Sequence, residues 1–251
     1  KRILMVNGSH MLNYKKKIVF TGGTGRFGQV LKKTVSKSNI NIFFPSSKIL
    51  NILKIDSIRK YLKLKKPTYL IHAAGLSRPM DMHDKDISKS IDLNIIGTSN
   101  ITKVCSELNI KLIFFSTSYV YPGEKGNYKE DDPLKPINNY GLSKMGGEAA
   151  VQMYKNSLIL RLSMTENPFI HKNAFSDFIT NFIYHDDVAK ILVKILDKKG
   201  ILNIGGKSQS VFDFAKSKKI KTKKILAKKF LGINAKLNVS MNLNKLKKII
   251  K

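Results

Sequence analysis

The chain is expected to fold as a three-layer α/β domain with a largely parallel sheet, and three features predict it. Short apolar runs of strand length recur along its first half, with helical stretches between them. The first run passes through a glycine-rich loop into apolar residues at helical spacing. The later runs end in small or hydroxyl-bearing residues, at the strand ends where open α/β sheets hold ligands.

The first run, Lys17-Ile18-Val19-Phe20, is a buried strand. Thr21-Gly22-Gly23-Thr24-Gly25-Arg26-Phe27-Gly28 follows, and Val30, Leu31 and Val35 then mark a helix. This is the context of a Rossmann-type pyrophosphate cradle. Gly22 permits the tight turn, Gly25 lets backbone approach phosphate, and Gly28 lets the helix pack on the strand. The helix N-terminus offers free N–H groups and a positive dipole end to an anion. Thr24, Arg26 and Phe27 complete the candidate cofactor loop. The second strand is placed at Asn39-Ile40-Asn41-Ile42-Phe43-Phe44. NAD-binding domains usually carry an acid at its end for the ribose 2′-hydroxyl. Here Pro45-Ser46-Ser47-Lys48 follows instead. Ser46, Ser47 and Lys48, helped by Arg26, suit a 2′-phosphate, so NADP(H) is favoured over NAD(H).

Tyr69-Leu70-Ile71 leads into His72-Ala73-Ala74-Gly75, where small side chains leave room for a cofactor across the strand ends. His72 is expected as a packed strand-end residue, and Asn94, in a helical stretch, as a brace for backbone. The strand Lys111-Leu112-Ile113-Phe114-Phe115 ends in Ser116-Thr117-Ser118. A hydroxyl there can bond a substrate carbonyl, although a serine or threonine at such a place also serves as a turn or cap. Tyr140-Gly141-Leu142-Ser143-Lys144 opens a helix and sets a phenol beside an ammonium, because residues i and i+4 share a helix face. A nearby cation lowers a phenol from about 10 towards working pH, as general acid–base chemistry requires. Taken alone, the pair would be an exposed surface couple. Taken with the glycine loop, it describes hydride transfer with a tyrosine proton.

These landmarks resemble the short-chain dehydrogenase/reductase superfamily, in its extended, nucleotide-sugar branch. Within it the chain is most similar to dTDP-4-dehydrorhamnose reductases, through Ser116-Thr117-Ser118-Tyr119-Val120-Tyr121-Pro122-Gly123, Tyr140 to Glu148, and Asn238 to Leu246. The resemblance implies that Thr117 binds the substrate oxygen, Tyr140 is the acid/base, and Lys144 tunes the tyrosine and contacts the nicotinamide ribose. It aligns Asn51 and Ile52 with adenine contacts and Ala73, Ala74 and Gly75 with the cofactor path. Ser116, Ser118 and Arg161 stand at candidate substrate positions, and a homodimer through the Tyr140 helix is implied. Tyr184 to Ala189 resembles the segment before a late helix, and Leu202 to Gly206 a late strand.

Departures narrow the chemistry. Dehydratases of this branch place Asp-Glu after the threonine, where Ser118-Tyr119 stand here. Epimerase-reductases place a cysteine at position 118, whereas Cys105 is this chain's single cysteine. Reduction of a nucleotide-sugar 4-keto group leads, with 4-epimerisation on bound NAD and a non-catalytic NADP-binding regulatory subunit as alternatives. Between Ser163 and Tyr184 the chain is shorter than the family norm, which reduces the substrate-binding portion.

The division that follows is residues 1–13 as a tag or leader, with Gly8-Ser9-His10-Met11 like a cloning scar. Residues 14–162 form the dinucleotide-binding domain, and 163–251 the reduced substrate portion, returning elements and a basic tail. One cysteine fits a reducing cytoplasm, and no Cys/His spacing fits a metal. The net charge of +29 comes from 46 basic against 17 acidic residues, nearly all lysine and dispersed. A dedicated nucleic-acid face would use more arginine and aromatic residues. The tail, residues 216–251, carries thirteen lysines and no acid. Its interleaved Leu237, Met241, Leu243, Leu246 and Ile250 suit docking on the body, with contact to an anionic membrane as a lesser alternative.

Overall fold

The computed structural model describes residues 16–36 and 40–251. The expected leader and Asn39 lie outside them. Six strands form one sheet: β1 (Lys17–Thr21), β2 (Asn41–Phe43), β3 (Tyr69–His72), β4 (Lys111–Thr117), β5 (Ser157–Leu162) and, at the far edge, β10 (Gly200–Ile204). Their order is β10-β5-β4-β3-β1-β2, and every pair is parallel. The chain leaves β1 for β2 on one side and reaches β3 on the other. That reversal opens a crevice at the C-terminal ends of β1 and β3.

Both faces of the sheet are covered, which explains the continuous apolar runs. The side-chain period of two divides each strand between two cores. Ile18 and Phe20, Ile113 and Phe115, and Leu158 and Leu160 enter the core beneath α1 (Arg26–Val35) and α7 (His185–Ile195). Val19, Leu112, Phe114 and Ile159 enter the opposite core, with Ile58 of α2 (Ile55–Lys65), Ile101 of α5 (Gly97–Glu107) and Val151 of α6 (Asn139–Gln152). Between β3 and α5, α3 (Met82–Lys85) and α4 (Ile87–Ile91) lead into a π-helical turn, Asp92–Ile96. No helix among the described residues is long and apolar enough to cross a membrane.

The short stretch after β5 builds a second lobe by recruiting distant chain. β6 (Met164–Thr165) pairs with β9 (Ile183–Tyr184), β7 (Asn173–Phe175) with β12 (Lys223–Ile225), and β8 (Ile179–Thr180) with β11 (Gln209–Ser210). Phe169, Phe178, Leu237 and Val239 pack there around Phe214 of α8 (Val211–Ser217). The basic tail is therefore part of the fold. After α9 (Lys228–Leu231) it supplies Leu237, Val239 and Met241 to the interior, and α10 (Asn244–Ile250) inserts Leu246 into the core under α7. Leu246→Ala is expected to cost about 2–4 kcal/mol in urea unfolding, as for other buried leucines; a tail resting loosely on the surface would cost almost nothing.

Candidate active site

A cleft of about 1460 Å³ opens at the ends of β1, β3 and β4 and runs to the second lobe. Pockets for one drug-sized ligand span about 300–1,000 Å³, so this cleft has room for a dinucleotide and a second ligand. Gly22 to Gly28, Ala73, Ala74 and Gly75 line one half. Gly22 has φ +85°, and an added Cβ would stand 2.9 Å from the Ala73 carbonyl carbon. A Cβ on Gly28 would meet Gly23 Cα at 2.7 Å, so its bareness lets α1 pack on the loop and not, as expected, on the strand. Gly25 caps α1 with no side chain over the first turn, which leaves N–H groups for an anion. These features fit a dinucleotide pyrophosphate. Thr24 lines the rim, while the Phe27 ring turns into the core against Phe20, Phe115 and His185. Asn51, Ile52 and Ser47 line the far end. Ser46 does not; its carbonyl closes a turn onto Ile49 and Leu50.

Thr117 ends β4, and Tyr140 lies in the first turn of α6, where Asn138 accepts the Gly141 N–H at 2.8 Å. Both line the cleft with Lys144, Ser116 and Ser118. Asn94, aimed by the π turn, is the expected brace. Its Nδ2 donates to the Leu76 carbonyl and to Ser143 Oγ, both at 2.8 Å, and its Oδ1 accepts the Leu76 N–H at 2.7 Å. His72 is the expected packed residue: Nδ1 lies 2.8 Å from Thr21 Oγ1 and Nε2 3.1 Å from Thr98 Oγ1. Rings of His83 and Tyr119 flank Tyr140 at 5.1 and 6.0 Å.

The expected lysine-lowered tyrosine is corrected by the structure. Burial pushes the Tyr140 phenol up to about 12, opposed by the facing Thr117 hydroxyl. Burial pulls Lys144 down to about 7, opposed by the Glu148 charge. Lys144 Nζ lies 4.2 Å from the Phe114 ring centroid. Desolvation outweighs charge at both groups, so at neutral pH the phenol holds its proton.

Arg161 is also corrected. Expected at the substrate, it is 2% exposed and lies beneath the site. β5 is an interior strand, and its Arg161 pairs in register with Ser116. The guanidinium bonds Glu148 at 2.9 Å, the Tyr121 hydroxyl at 2.9 Å and the Glu130 carbonyl at 3.0 Å. Ser116 donates its hydroxyl to the same Glu148, so that hydroxyl is committed below the cleft. Arg26 is the third correction. Its guanidinium bonds Glu166, beyond β5, on the opposite side of β1 from the β2 end where a 2′-phosphate would lie. Glu166, Arg78 and His171 line the cleft and were not singled out from sequence. The available signal was an acid in a segment of a chain poor in acids. Burial would raise the Glu166 carboxyl, but its own backbone N–H, Arg78 and Arg26 hold it near about 2. Among the described residues no His, Cys, Asp or Glu cluster is arranged for a metal ion.

Residues 16–192 match the family model described as the RmlD substrate binding domain. The chain belongs to this family. Methionine adenosyltransferase 2 subunit beta of Xenopus laevis is 28% identical over 155 residues, 59% of this chain and 46% of that protein. The dTDP-4-dehydrorhamnose reductase of Aggregatibacter actinomycetemcomitans is 28% identical over 200 residues, 72% of this chain and 68% of that protein. The chain thus spans under half the length of the methionine adenosyltransferase subunits it matches. A dTDP-4-dehydrorhamnose reductase of Bacillus anthracis, solved in complex with NADP, superposes with a TM-score of 0.82 at 22% identity. The match covers 93% of this chain and 91% of that one. A Thermus thermophilus UDP-glucose 4-epimerase solved with NAD gives 0.68 at 16% identity, over 83% and 85%. The Rossmann-type fold expected from the glycine loop is shared with both.

Glu148→Gln would leave Arg161 without its counter-charge and is expected to cost about 3–5 kcal/mol in chemical denaturation. Lys144 carries a pH signature. Its folded value lies near about 7 and its ordinary value at 10.5. The unfolded chain therefore binds the extra proton between these limits, and stability rises with pH through that window. Lys144→Met is expected to raise the melting temperature at pH 7 and below, by a gain that shrinks towards pH 10.

Proposed function

We propose that the chain is an NADP(H)-dependent reductase of the 4-keto group of a nucleotide-sugar. The observation that carries this reading is the meeting of Thr117, Tyr140 and Lys144 in one cleft with an uncapped glycine-loop helix. A reduced nicotinamide supplies hydride to the carbonyl carbon. Thr117 holds the carbonyl oxygen, with Ser118 beside it on the cleft wall. Tyr140, protonated at neutral pH, delivers a proton to that oxygen as negative charge develops there. Lys144 stands one turn away and, when charged, stabilises the phenolate that results. Its poise near about 7 makes this assistance steepest around neutrality. Asn94 locks the helix that presents both groups.

The NADP(H) preference is supported by the strand end after β2, which carries Ser47 in the cleft and Lys48 beside it with no acid. Lys32, 5.1 Å from the Phe44 ring, adds charge at that end. Arg26 is withdrawn from this role by its bond to Glu166. Exposed Leu142 on α6 and Met153 just after it, with Ile87, Ile91 and Ile96 on neighbouring turns, offer a second copy of the chain an apolar face, the basis for a homodimer. A second reading, a dinucleotide-binding regulatory subunit, is favoured by the subunit names of several relatives and by the short second lobe. Retention of the Thr117, Tyr140 and Lys144 set weighs against it.

NADPH or NADH oxidation followed at 340 nm against 4-keto-6-deoxy nucleotide-sugars tests the reading. Substrate-dependent loss of absorbance is expected, faster with NADPH. Tyr140→Phe is expected to lower turnover by about 10²–10⁴-fold while cofactor affinity changes little. Undiminished activity in that variant would sink the proton assignment. A silent chain that purifies with NAD would point to 4-epimerisation, and one that purifies with a partner enzyme to the regulatory subunit.

A further inference from the structure

Glu166 takes no part in the core or in the proton chemistry, yet its side chain is only 13% exposed within the cleft. Its Oε1 accepts from Arg26 Nη1 and from Arg78 Nη1, the latter at 2.7 Å. Its Oε2 accepts from Thr165 Oγ1 at 3.2 Å and lies 3.9 Å from His171 Nε2. The two arginines follow the ends of adjacent strands, β1 and β3. Arg26 is the first residue of α1, at the rim of the glycine cradle, and Arg78 follows Gly75 at the end of β3. Glu166 itself comes from the second lobe. One carboxylate oxygen thus ties together three segments that line the same channel.

A carboxylate is electrostatically adverse beside a pyrophosphate unless cations outnumber it. Here two guanidinium groups face one acid, while burial lowers the nearby His171 imidazole below its ordinary value and leaves it uncharged at neutral pH. Each arginine spends a single nitrogen on Glu166, and a guanidinium carries five N–H donors. Donors therefore remain for phosphate oxygens while the bridge is closed. Solubility does not require the pairing in a chain with 46 basic residues.

We infer that Glu166 is a positioning residue of the dinucleotide site: it clasps Arg26 and Arg78 across the channel and so retards release of the bound dinucleotide. This rests on the dinucleotide reading of the cleft and not on turnover. The rival role has the opposite sign, because a carboxylate that merely competed with phosphate for the arginines would weaken binding.

Stopped-flow fluorescence of NADPH, displaced from the full chain by excess NADP⁺, separates the two. Glu166→Gln is expected to speed dissociation by about tenfold. Glu166→Asp, which keeps the charge, should recover part of the slow release. Arg26→Gln, which breaks one of the two ion pairs, should also speed release, and the double variant should fall short of the sum of the two single effects, because both singles break that shared pair. Slower dissociation in Glu166→Gln would assign the carboxylate to competition and overturn the clasp, as would an unchanged rate. If the unaltered chain binds neither NADPH nor NADH, the dinucleotide reading falls and takes the clasp with it. Tight binding without turnover of any keto-sugar would count against the reductase alone.

Discussion

The buried ion pair of Glu148 and Arg161 sets where α6 sits on the sheet, and the reactive groups of the cleft ride on that helix. Glu148 lies one turn beyond Lys144 and two beyond Tyr140 on one helix face. Taking both charges out of water is costly, and the cost is tolerable only because every remaining polar atom is occupied. Glu148 also accepts the Ser116 hydroxyl, and Arg161 also serves Tyr121 and the Glu130 carbonyl. Tyr121 passes the network to Asn203 of the edge strand β10. The helix, strands β4 and β5 and the sheet edge are thereby locked in one register. A hydrophobic contact of equal area would permit sliding; a saturated network of charge-assisted bonds has one geometry.

Above that anchor the same burial acts on the reactive pair. Removing water raises the phenol and lowers the ammonium, so at neutral pH the phenol is protonated and the lysine is divided between its two forms. In the proposed reaction this is an advantage, since the phenol is loaded at working pH. The charge that would favour phenolate is held in reserve in Lys144, whose neutral and charged forms are nearly balanced. Stability is given up to hold that lysine dry, as is common where function and folding compete for one site.

How much of this was legible in the sequence follows the range of each interaction. The β1 strand, glycine loop and α1 are contiguous, and Gly22 and Gly25 report local backbone needs, so the cradle could be recognised residue by residue. Tyr140 and Lys144 are likewise linked by helix periodicity alone. Asn94 was legible as a brace, but not its partners, which are 18 and 49 residues away. Arg161 was misassigned because a charged residue at a strand end resembles a ligand contact until its buried counter-ion is seen 13 residues earlier. Glu166 and Arg78 escaped notice because their meaning depends on a contact across 88 residues. In the tail, Leu237, Met241 and Leu246 were legible as docking residues, but their destinations were not: Leu237 joins the second lobe, Met241 packs with Tyr121 and Tyr128, and Leu246 lies under α7.

The pairing of β7 with β12 and the return of residues 231–236 to the cleft wall bear on the order in which the molecule is assembled. The glycine cradle needs only β1, β3 and α1, all of which lie before Ala73. The opposite wall waits for chain about two hundred residues later. During synthesis the residues of that cradle therefore emerge well before those of the wall, and non-local closure of this kind is the slow part of folding.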